Sequence, residues 1–509
     1  MNSTQILLLC LCGVFVLIIA VIAAIGNLYS LKGIPNKPVG NGQYGTARFA
    51  THGEVAKTYK HIPYAPKLWR KGEQLPTVDG LIVGCHEMAA GMTALVDDAD
   101  IHTLMIGASG VGKTANFLYP NIEYCCAAGM SFVTTDSKGD LYRNTATIAE
   151  KYYGYKISVI DLRNPTRSSG YNMLYLVNKY MDLYKAENKL EYKAKSEKFA
   201  KITAKTIISA DGDVSNMGQN AFFYEAAEGL LTAVILLIAE FCPPEKRHII
   251  SVFKLIQDLL APSGTKGVSR FQMLIDKLPG EHKARWFAGA ALNSSDQAMA
   301  SVMSTALSRL NSFIDSELEQ ILCFDTSIDV EDFCNNKSLA QFEKTYGKEG
   351  AEIIVDNCQC TLFGAFAPNS KTAEAMSQNL GKQTVLSGTV TRSSGNGGAN
   401  RQLQMIERPL MTVDELKSMP KGHFIVMKTG CHPMKTRLNL FFKWGIQFED
   451  AYSIEEKSER KVLYADSREV EAAVLERFPP KPVPIEFSES FSADETVFSP
   501  KHRSPKTRK

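Results

Sequence analysis

The hydrophobic pattern of the chain opens with one long apolar run. Ile6 to Ile25 contains only apolar residues and glycine, and about 20 such residues span the core of a bilayer as a helix. A signal peptide is the alternative, but no Lys or Arg precedes the run, which is longer than a usual signal-peptide core. Because Lys32 and Lys37 follow it, the bulk of the chain is expected in the cytoplasm. The pattern predicts a single-pass anchor in the plasma membrane.

Short apolar runs that end in polar turns follow. Thr103–Ile106, Met130–Val133 and Ile157–Asp161 have the length and composition of buried strands, and residues 80–95 are typical of shorter ones. Helical patterns separate these runs. Strands that alternate with helices predict an α/β fold with a doubly wound sheet.

A long helical region interrupts this alternation from about residue 176 to residue 310. Its most apolar stretch, residues 221–241, contains Glu225 and Glu228, and its uninterrupted part is too short to span a bilayer. We therefore interpret this stretch as the core helix of an all-α insertion.

The α/β pattern returns after the insertion. Strands are predicted at Ile353–Asp356, Leu362–Phe366, Phe424–Met427 and Leu440–Phe442. The Ser-, Gly- and Thr-rich residues from Thr384 to Asn400 indicate a loop or an exposed hairpin.

These patterns divide the chain into five regions. They are a transmembrane anchor over residues 1–30, a first part of a nucleotide-binding α/β domain over 31–175, an all-α insertion over 176–310, a second α/β part over 311–450, and a charged helix with a disordered basic tail over 451–509. The tail is rich in Pro and then basic, a composition typical of disorder. It is either merely solvated or contacts DNA, acidic lipid or a partner protein.

The overall composition excludes little. Lys and Arg number 57 against 54 Asp and Glu, a net charge of +3, so binding to nucleic acid would depend on local patches. One candidate is the Lys-rich stretch 179–205, for which a solvated helix face is the alternative. The 11 cysteines include no C-x-x-C pair and no zinc-site spacing, which is typical of a reduced cytosolic protein.

The most informative stretch chemically is the octapeptide from Gly107 to Thr114. Its sequence, Gly107-Ala108-Ser109-Gly110-Val111-Gly112-Lys113-Thr114, fits G-x-x-x-x-G-K-[ST], the loop that binds nucleotide phosphates. Small residues let backbone N–H groups surround the phosphates, Lys113 reaches the β and γ oxygens, and Thr114 offers its hydroxyl to Mg²⁺. A predicted strand precedes the loop and a helix follows it, in which Pro120 is expected to cause a kink or an end.

Asp136 and Lys138 are two further candidates for the nucleotide site. They lie in a polar turn directly after the strand at Met130–Val133, and open α/β sheets bind ligands at the carboxyl ends of their strands. An ordinary strand-to-helix turn explains the same two residues without a ligand.

Several ordered stretches together resemble the TraG-like coupling proteins of type IV secretion, the conjugative DNA-transfer ATPases. The similar features are the membrane span, the phosphate loop, Gly45 to Phe49, Asp136-Ser137-Lys138-Gly139-Asp140, Tyr171-Asn172, Tyr346 to Ala351 with Asp356-Asn357-Cys358, and Arg408 to Thr412 with Glu415-Leu416. The resemblance extends from about residue 40 to about residue 448. It implies a RecA-like P-loop NTPase domain with an all-α insertion, which binds ATP and Mg²⁺.

The resemblance also implies partners. Six identical chains would form a ring at the membrane, and the ring would bring single-stranded DNA or a DNA–relaxase complex to the channel proteins of a type IV secretion system.

One departure from the family concerns the second acidic element of a P-loop NTPase, an apolar strand that ends in Asp, usually followed by Glu. In the family this strand lies between two segments that are fused here at Ser338-Leu339. Asp136, Asp161 and Asp356 each end an apolar run, but no Glu follows them. The chain is therefore expected to hydrolyse ATP weakly or not at all, and its sheet is expected to expose edges where strands are missing.

Asp414-Glu415 is a possible substitute for this acidic pair. However, Thr412-x-x-Glu415 fits a helix capping box better than a catalytic element.

Two other interpretations remain open. An adaptor with the same fold would dock substrate proteins at the membrane through the all-α part and the basic tail, without ATP turnover. A membrane translocase that segregates chromosomes would normally carry more spans and a DNA-reading terminal module, and nothing in the sequence resembles that module.

Overall fold

The computed structural model describes residues 12–23, 38–88, 91–210, 221–261, 268–324, 326, 338–340, 358–391, 400–457 and 459–480. The chain divides into two units. The α/β unit comprises Met1–Ser158 and Ile328–Ile454, and the helical unit comprises Val159–Ser327 and Glu455–Lys509. The strand predicted at Ile353–Asp356, the fusion segment around Ser338-Leu339 apart from residues 338–340, and the tail from residue 481 onward lie outside the described residues.

The secondary structure of the described residues is as follows. The strands are β1 Lys60–Pro63, β2 Leu81–Met88, β3 Gly91–Asp97, β4 Thr103–Ile106, β5 Ser131–Val133, β6 Ser338–Ala340, β7 Cys360–Phe363, β8 Lys382–Thr391, β9 Asn400–Pro409, β10 His423–Lys428 and β11 Met434–Arg437. The α-helices are α1 Cys12–Ala23, α2 His52–Thr58, α3 Pro66–Trp69, α4 Tyr119–Ala127, α5 Asp140–Tyr153, α6 Tyr175–Glu187, α7 Leu190–Ile208, α8 Ala221–Phe241, α9 Ile249–Leu260, α10 Arg270–Ile275, α11 Lys283–Phe287, α12 Gly289–Leu292, α13 Asp296–Leu310, α14 Ser316–Leu322, α15 Lys371–Asn379, α16 Val413–Lys417 and α17 Ser467–Arg477. A π-helix spans Lys113–Leu118, and short 3₁₀ helices span Pro165–Arg167, Pro244–Lys246, Asn311–Phe313 and Phe441–Trp444.

The mixed α/β fold is confirmed, but the main sheet is not the doubly wound sheet that alternating strands and helices predicted. Its seven strands lie in the order β1-β3-β2-β11-β10-β7-β4, and only β4 and β7 run parallel. Antiparallel pairing arises because β2 and β3 form a hairpin, as do β10 and β11. A separate two-stranded antiparallel sheet joins β8 to β9, so of the loop and the hairpin that residues 384–400 indicated, the structure has the hairpin. Residues 392–399 are outside the described part.

The strand that leads into the phosphate loop lies at an edge of this sheet. Among the described residues β4 pairs only with β7, and all four of its side chains remain partly exposed, whereas Ile82 to Cys85 in the middle of the sheet are buried. β5 lies in a separate sheet with β6. The opposite edge, β1, carries Lys60 and Pro63, residues that protect an edge from further pairing, while β4 is apolar.

Two predicted strands are wrong. Ile157–Asp161 forms no strand, because serines satisfy its backbone: Ser168 Oγ accepts from Asp161 N at 3.0 Å, and Ser169 N donates to Val159 O at 2.8 Å. Leu440–Phe442 instead enters the 3₁₀ helix Phe441–Trp444. There Phe441 stacks on Phe448 with ring centroids 4.5 Å apart.

The helical unit is built around α8. Its residues from Leu230 to Ala239 are all buried, and all of them except Thr232 belong to one hydrophobic cluster that also includes side chains of α7, α9 and α13. This confirms the interpretation of residues 221–241 as a core helix, although by length and composition alone α8 could cross a membrane. Near the end of the chain, α17 buries Val470 and Val474 in the same cluster. The charged helix predicted after residue 451 is thus part of the helical core.

Candidate functional site

β4 leads the chain into the predicted phosphate-binding loop. Gly110 and Gly112 have φ angles of 80° and 93°, in the left-handed region that glycine adopts without strain. A Cβ atom on Gly112 would lie 2.3 Å from Nδ2 of Asn116, and one on Gly107 would lie 2.9 Å from the Val111 side chain. The backbone therefore takes this shape only with glycine at position 112.

Lys113 folds back over the loop. Its Nζ donates to the carbonyl oxygen of Gly107 at 2.8 Å and to that of Ala108 at 3.2 Å. Ser109 and Gly110 at the tip of the loop are exposed. An ammonium group has three donors and a flexible stem, so an arriving phosphate can recruit it without rearranging the backbone.

The helix after the loop begins with a π turn. Tyr119 N donates to the carbonyl oxygen of Thr114, five residues earlier, and Thr114, in the first turn, is exposed. π turns are uncommon and often mark functional positions. Pro120 does not end the helix, which continues through α4 to Ala127; instead, the hydrogen-bond register changes from π to α where Pro120 stands in the first turn of α4.

Asn116 is a site residue that sequence reasoning missed. Its side chain is buried beneath Gly112, where Nδ2 donates to Val111 O at 3.4 Å and Oδ1 has no partner among the described residues. It supports the loop from below, because it fills the space that any larger residue at position 112 would need. The available signal was an amide three residues after the loop lysine, between Ala115 and Phe117.

A buried polar network holds α4, and with it the loop, in place. Arg70 donates to both carboxylate oxygens of Glu123, at 2.9 and 2.7 Å, and Tyr153 Oη donates to Glu123 Oε1 at 2.7 Å. Burial, followed by the Glu123 carboxylate, raises the pKa of Tyr153, so the phenol remains a donor. Asn121 bonds both backbone groups of Ile82, which ties α4 to β2.

Asp136 and Lys138 lie in a turn whose bonds are all local. Asp136 accepts from four backbone N–H groups, those of Lys138, Gly139, Leu141 and Tyr142, at 2.6–3.3 Å. Its carboxylate thus caps the start of α5, and Lys138 is exposed. No hydrogen bond or ion pair joins either residue to the loop in the described part of the chain, so their role at a nucleotide remains a prediction.

Thr412 and Glu415 form the predicted capping box. Thr412 Oγ1 accepts from Glu415 N, and a Glu415 carboxylate oxygen accepts from Thr412 N at 2.8 Å. Burial is the largest single influence on the pKa of Glu415 and raises it. The backbone N–H of Thr412 and the Arg408 guanidinium together outweigh burial, so the pKa is below its usual value. Glu415 is therefore engaged at a helix terminus. The described residues contain no cluster of three or more His, Cys, Asp or Glu that could hold a metal ion by itself.

Two family models match the chain in succession. The model for type IV secretory system conjugative DNA transfer matches residues 67–333, more than half of the 509 residues. The model for the TraM recognition site of TraD and TraG matches residues 337–421. The two matches meet beside the predicted fusion point at Ser338-Leu339. No curated protein sequence matches this chain.

Solved structures of conjugative coupling proteins are distantly similar to the chain. The unbound bacterial conjugative coupling protein TrwBdeltaN70 is 13% identical over 83% of this chain and 100% of its own, with a TM-score of 0.44. The plasmid coupling protein TrwB in complex with the ATP analogue ADPNP is 12% identical over 81% of this chain and 98% of its own, with a TM-score of 0.44. The complex of TrwB with ADP and Mg²⁺ is 12% identical over 82% and 98%, with a TM-score of 0.38. Superpositions this loose assign no roles to individual residues.

Proposed function

Because the chain belongs to the type IV secretory system conjugative DNA transfer family, as a TraG-like coupling protein, we propose that it is a membrane-anchored coupling protein that binds ATP. The observation that carries the nucleotide part of this proposal is the geometry of the loop from Gly107 to Thr114. Two left-handed glycines turn its backbone, and a lysine reaches across its mouth. Such a loop at a helix N-terminus is suited to bind phosphate groups.

The residues present fit a nucleotide with Mg²⁺. Backbone N–H groups of Ser109, Gly110, Gly112 and Lys113 would bind the β-phosphate, whereas those of Ala108 and Val111 already donate to backbone carbonyls. Lys113 Nζ would leave its two carbonyl partners for the terminal phosphates, and the exposed Thr114 hydroxyl would contact Mg²⁺. When bound, Mg²⁺ neutralises phosphate charge. Asp136 and Lys138 are proposed to line this site at a greater distance, with Asp136 acting by holding the turn.

We propose that ATP turnover is absent or so weak that it does not exceed that of a variant without Lys113. A hydrolytic P-loop site needs a carboxylate that positions water, on a strand near the loop strand. Within the described residues β4 has no strand on its outer side, and Glu415 is engaged in a capping box. These observations favour the second candidate function, an adaptor that binds nucleotide and docks substrate without hydrolysing ATP.

Membrane anchoring rests on the N-terminal apolar run. The described part of that run is the helix α1, whose large apolar side chains are exposed. A helix of this kind in water would be unfavourable, and a bilayer would cover it. The proposal places α1 across the plasma membrane once, with the two units in the cytoplasm.

The partners are proposed from the family. Single-stranded DNA or a DNA–relaxase complex would be the substrate, channel proteins of type IV secretion the destination, and a ring of six chains the working assembly. The match to the TraM recognition site of TraD and TraG over residues 337–421 supports a docking role for that part of the chain.

Nucleotide binding tests this proposal. The full chain in detergent is titrated with a fluorescent ATP analogue and Mg²⁺, beside Lys113→Ala and the exposed-lysine control Lys421→Ala. A charge-assisted hydrogen bond contributes about 2 kcal/mol, so Lys113→Ala should weaken binding by about thirtyfold, with Lys421→Ala unchanged. Equal affinity for all three proteins, or no binding by any, would contradict the proposal.

A further inference from the structure

The helix pair α6–α7 carries a charge that the nucleotide site does not use. Residues 175–208 contain eight lysines against four acidic residues. Three of the four acids form ion pairs, which are Asp182 with Arg247 at 2.5 Å, Glu187 with Lys189 at 2.6 Å and Glu191 with Lys195 at 2.9 Å. The fourth, Glu197, is partly buried. Local carboxylates therefore leave a positive excess on this surface.

That excess is concentrated on Lys198, Lys201 and Lys205, which we call the lysine face of α7. Spacings of three and four residues place these side chains on one side of the helix, opposite the buried Ala200 and Ala204. All three are exposed. None forms an ion pair with any residue in the described part of the chain.

Aromatic rings order the neighbouring lysines, of which Lys193 adds charge to the surface, because Lys189 and Lys195 are already paired with Glu187 and Glu191. The ammonium groups of Lys189, Lys193 and Lys195 lie 5.6, 5.4 and 5.0 Å from the ring centroids of Tyr192, Tyr184 and Tyr180. Tyr180 is itself buried and stacks on Phe199 at 5.7 Å. Cation–π contacts of this kind hold the charges close to the helix pair.

We propose that the lysine face of α7 binds the phosphodiester backbone of the transferred DNA. This inference rests on the proposed function, since it names the surface by which the substrate would be held. From Lys198 to Lys205 the helix rises about 10 Å, enough for three ammonium groups to neutralise consecutive phosphates of one strand. Contacts of this kind carry no sequence information, as transfer of any DNA requires.

An acidic bilayer surface is the competing partner, and the packing of α7 argues against it. A helix that lies on a membrane inserts an apolar face. The apolar face of α7, with Ala200, Ala204 and Ile207, is buried in the core of the helical unit. The exposed large apolar side chains of α7 are Ile202, at 47% beside the lysine face, and Leu190, at 79% in the first turn, and twelve residues separate the two. Phosphate binding needs the charges alone.

The test is the salt dependence of DNA binding by the full chain in detergent, measured by the anisotropy of a labelled oligothymidylate. Three variants are compared with the parent: Lys198→Gln/Lys201→Gln/Lys205→Gln, the same positions changed to Arg, and the control Lys57→Gln/Lys67→Gln/Lys71→Gln, which removes equal charge from exposed positions of the α/β unit. A single-strand phosphate contact contributes about 0.7 to the slope of log affinity against log salt. The α7 Gln variant should therefore lose about two units of slope, with the Arg variant and the control close to the parent.

Other results would contradict either the lysine face alone or the proposed function as well. If the parent binds DNA and the α7 Gln variant retains its slope, the lysine face is not the DNA surface, and the proposed function stands. If the parent itself shows no salt-dependent binding, the DNA part of the proposed function fails as well. Chemical acetylation of the lysines distinguishes DNA from a membrane surface. If mixed micelles of phosphatidylglycerol and detergent protect Lys198, Lys201 and Lys205 from acetylation and DNA does not, the proposal is overturned in favour of a membrane surface.

Discussion

The two units of this chain differ in how completely their secondary structure is packed. In the helical unit, the ten residues from Leu230 to Ala239 are all buried, and nine of them belong to one hydrophobic cluster. In the α/β unit, the strand that carries the phosphate loop lies at the edge of the sheet formed by the described residues, and each of its four side chains keeps some exposure. The unit with the recognisable chemical motif is thus the one whose sheet has an apolar edge.

This difference matters because nucleotide binding and ATP turnover have different structural requirements. The phosphate loop is a local structure: left-handed glycines, a lysine and a helix N-terminus suffice to build it. Hydrolysis needs a further carboxylate, brought from another strand by the sheet. The described residues therefore build the local part of the site that the proposed nucleotide binding needs, and the carboxylate strand that turnover needs is not among them.

The largest expected effects come from removing one leucine side chain from each unit, one in the buried helix α8 and one on the edge strand β4. Leu231→Ala in α8 deletes a fully buried side chain and should cost about 3 kcal/mol of unfolding free energy, whereas Leu104→Ala on β4 should cost about 1 kcal/mol. Hydrogen exchange of the full chain, followed by mass spectrometry, reports each unit separately. Leu190→Ala, at a position 79% exposed, is the control with little effect. Equal losses for Leu231 and Leu104 would mean that β4 is covered as fully as α8.

A smaller effect is expected when the two left-handed glycines of the phosphate loop are substituted. Gly112→Ala imposes left-handed strain and a collision with Asn116, so nucleotide affinity should fall by about a hundredfold. Gly110→Ala meets open space and carries strain alone, which corresponds to about tenfold. The same nucleotide titration measures both, and Asn116→Ala in the Gly112→Ala background should recover part of the loss. Similar affinities for the two glycine variants would contradict the proposed support from Asn116.

The smallest effect concerns a lysine in the helical unit. Burial, followed by the charge of Arg247, lowers the pKa of Lys185 to about 8 from its usual 10.5, while Nζ donates to Ala239 O. Between these two values the unfolded chain binds more protons than the folded one, so the free energy of unfolding gains from this lysine as pH rises through about 8 to about 10.

Urea unfolding across this pH range, compared with Lys185→Met, measures that gain. The parent should gain stability relative to the variant as pH rises, and Lys201→Met, at an exposed position, should follow the parent. Parallel curves for the parent and Lys185→Met would show that burial does not affect this ammonium.

The sequence predicted the structure where local pattern decides it. The strand at Thr103–Ile106, the core helix at 221–241 and the capping box at Thr412 each follow from spacing within a few residues, and all three are confirmed. Membership of the TraG-like family followed from several motifs in order, and the family models confirm it.

Prediction failed where the structure of a segment depends on partners outside that segment. Ile157–Asp161 is as apolar as a strand, but the hydroxyls of Ser168 and Ser169 take the place of a neighbouring strand. Leu440–Phe442 has the apolar pattern of a strand, but in the structure the ring of Phe441 stacks on the ring of Phe448. The antiparallel order of the sheet, likewise, is set by pairings such as β10 with β7 that no local pattern contains.

The measurement that tests the central claim most directly is phosphate release from ATP by the full chain at saturating nucleotide, with and without single-stranded DNA. Lys113→Ala serves as the blank, and nucleotide occupancy is measured in the same samples. We predict that the parent binds nucleotide yet releases phosphate no faster than the variant. Release that exceeds the blank and vanishes in Lys113→Ala would contradict the account, because it would require a carboxylate that completes the site beside β4.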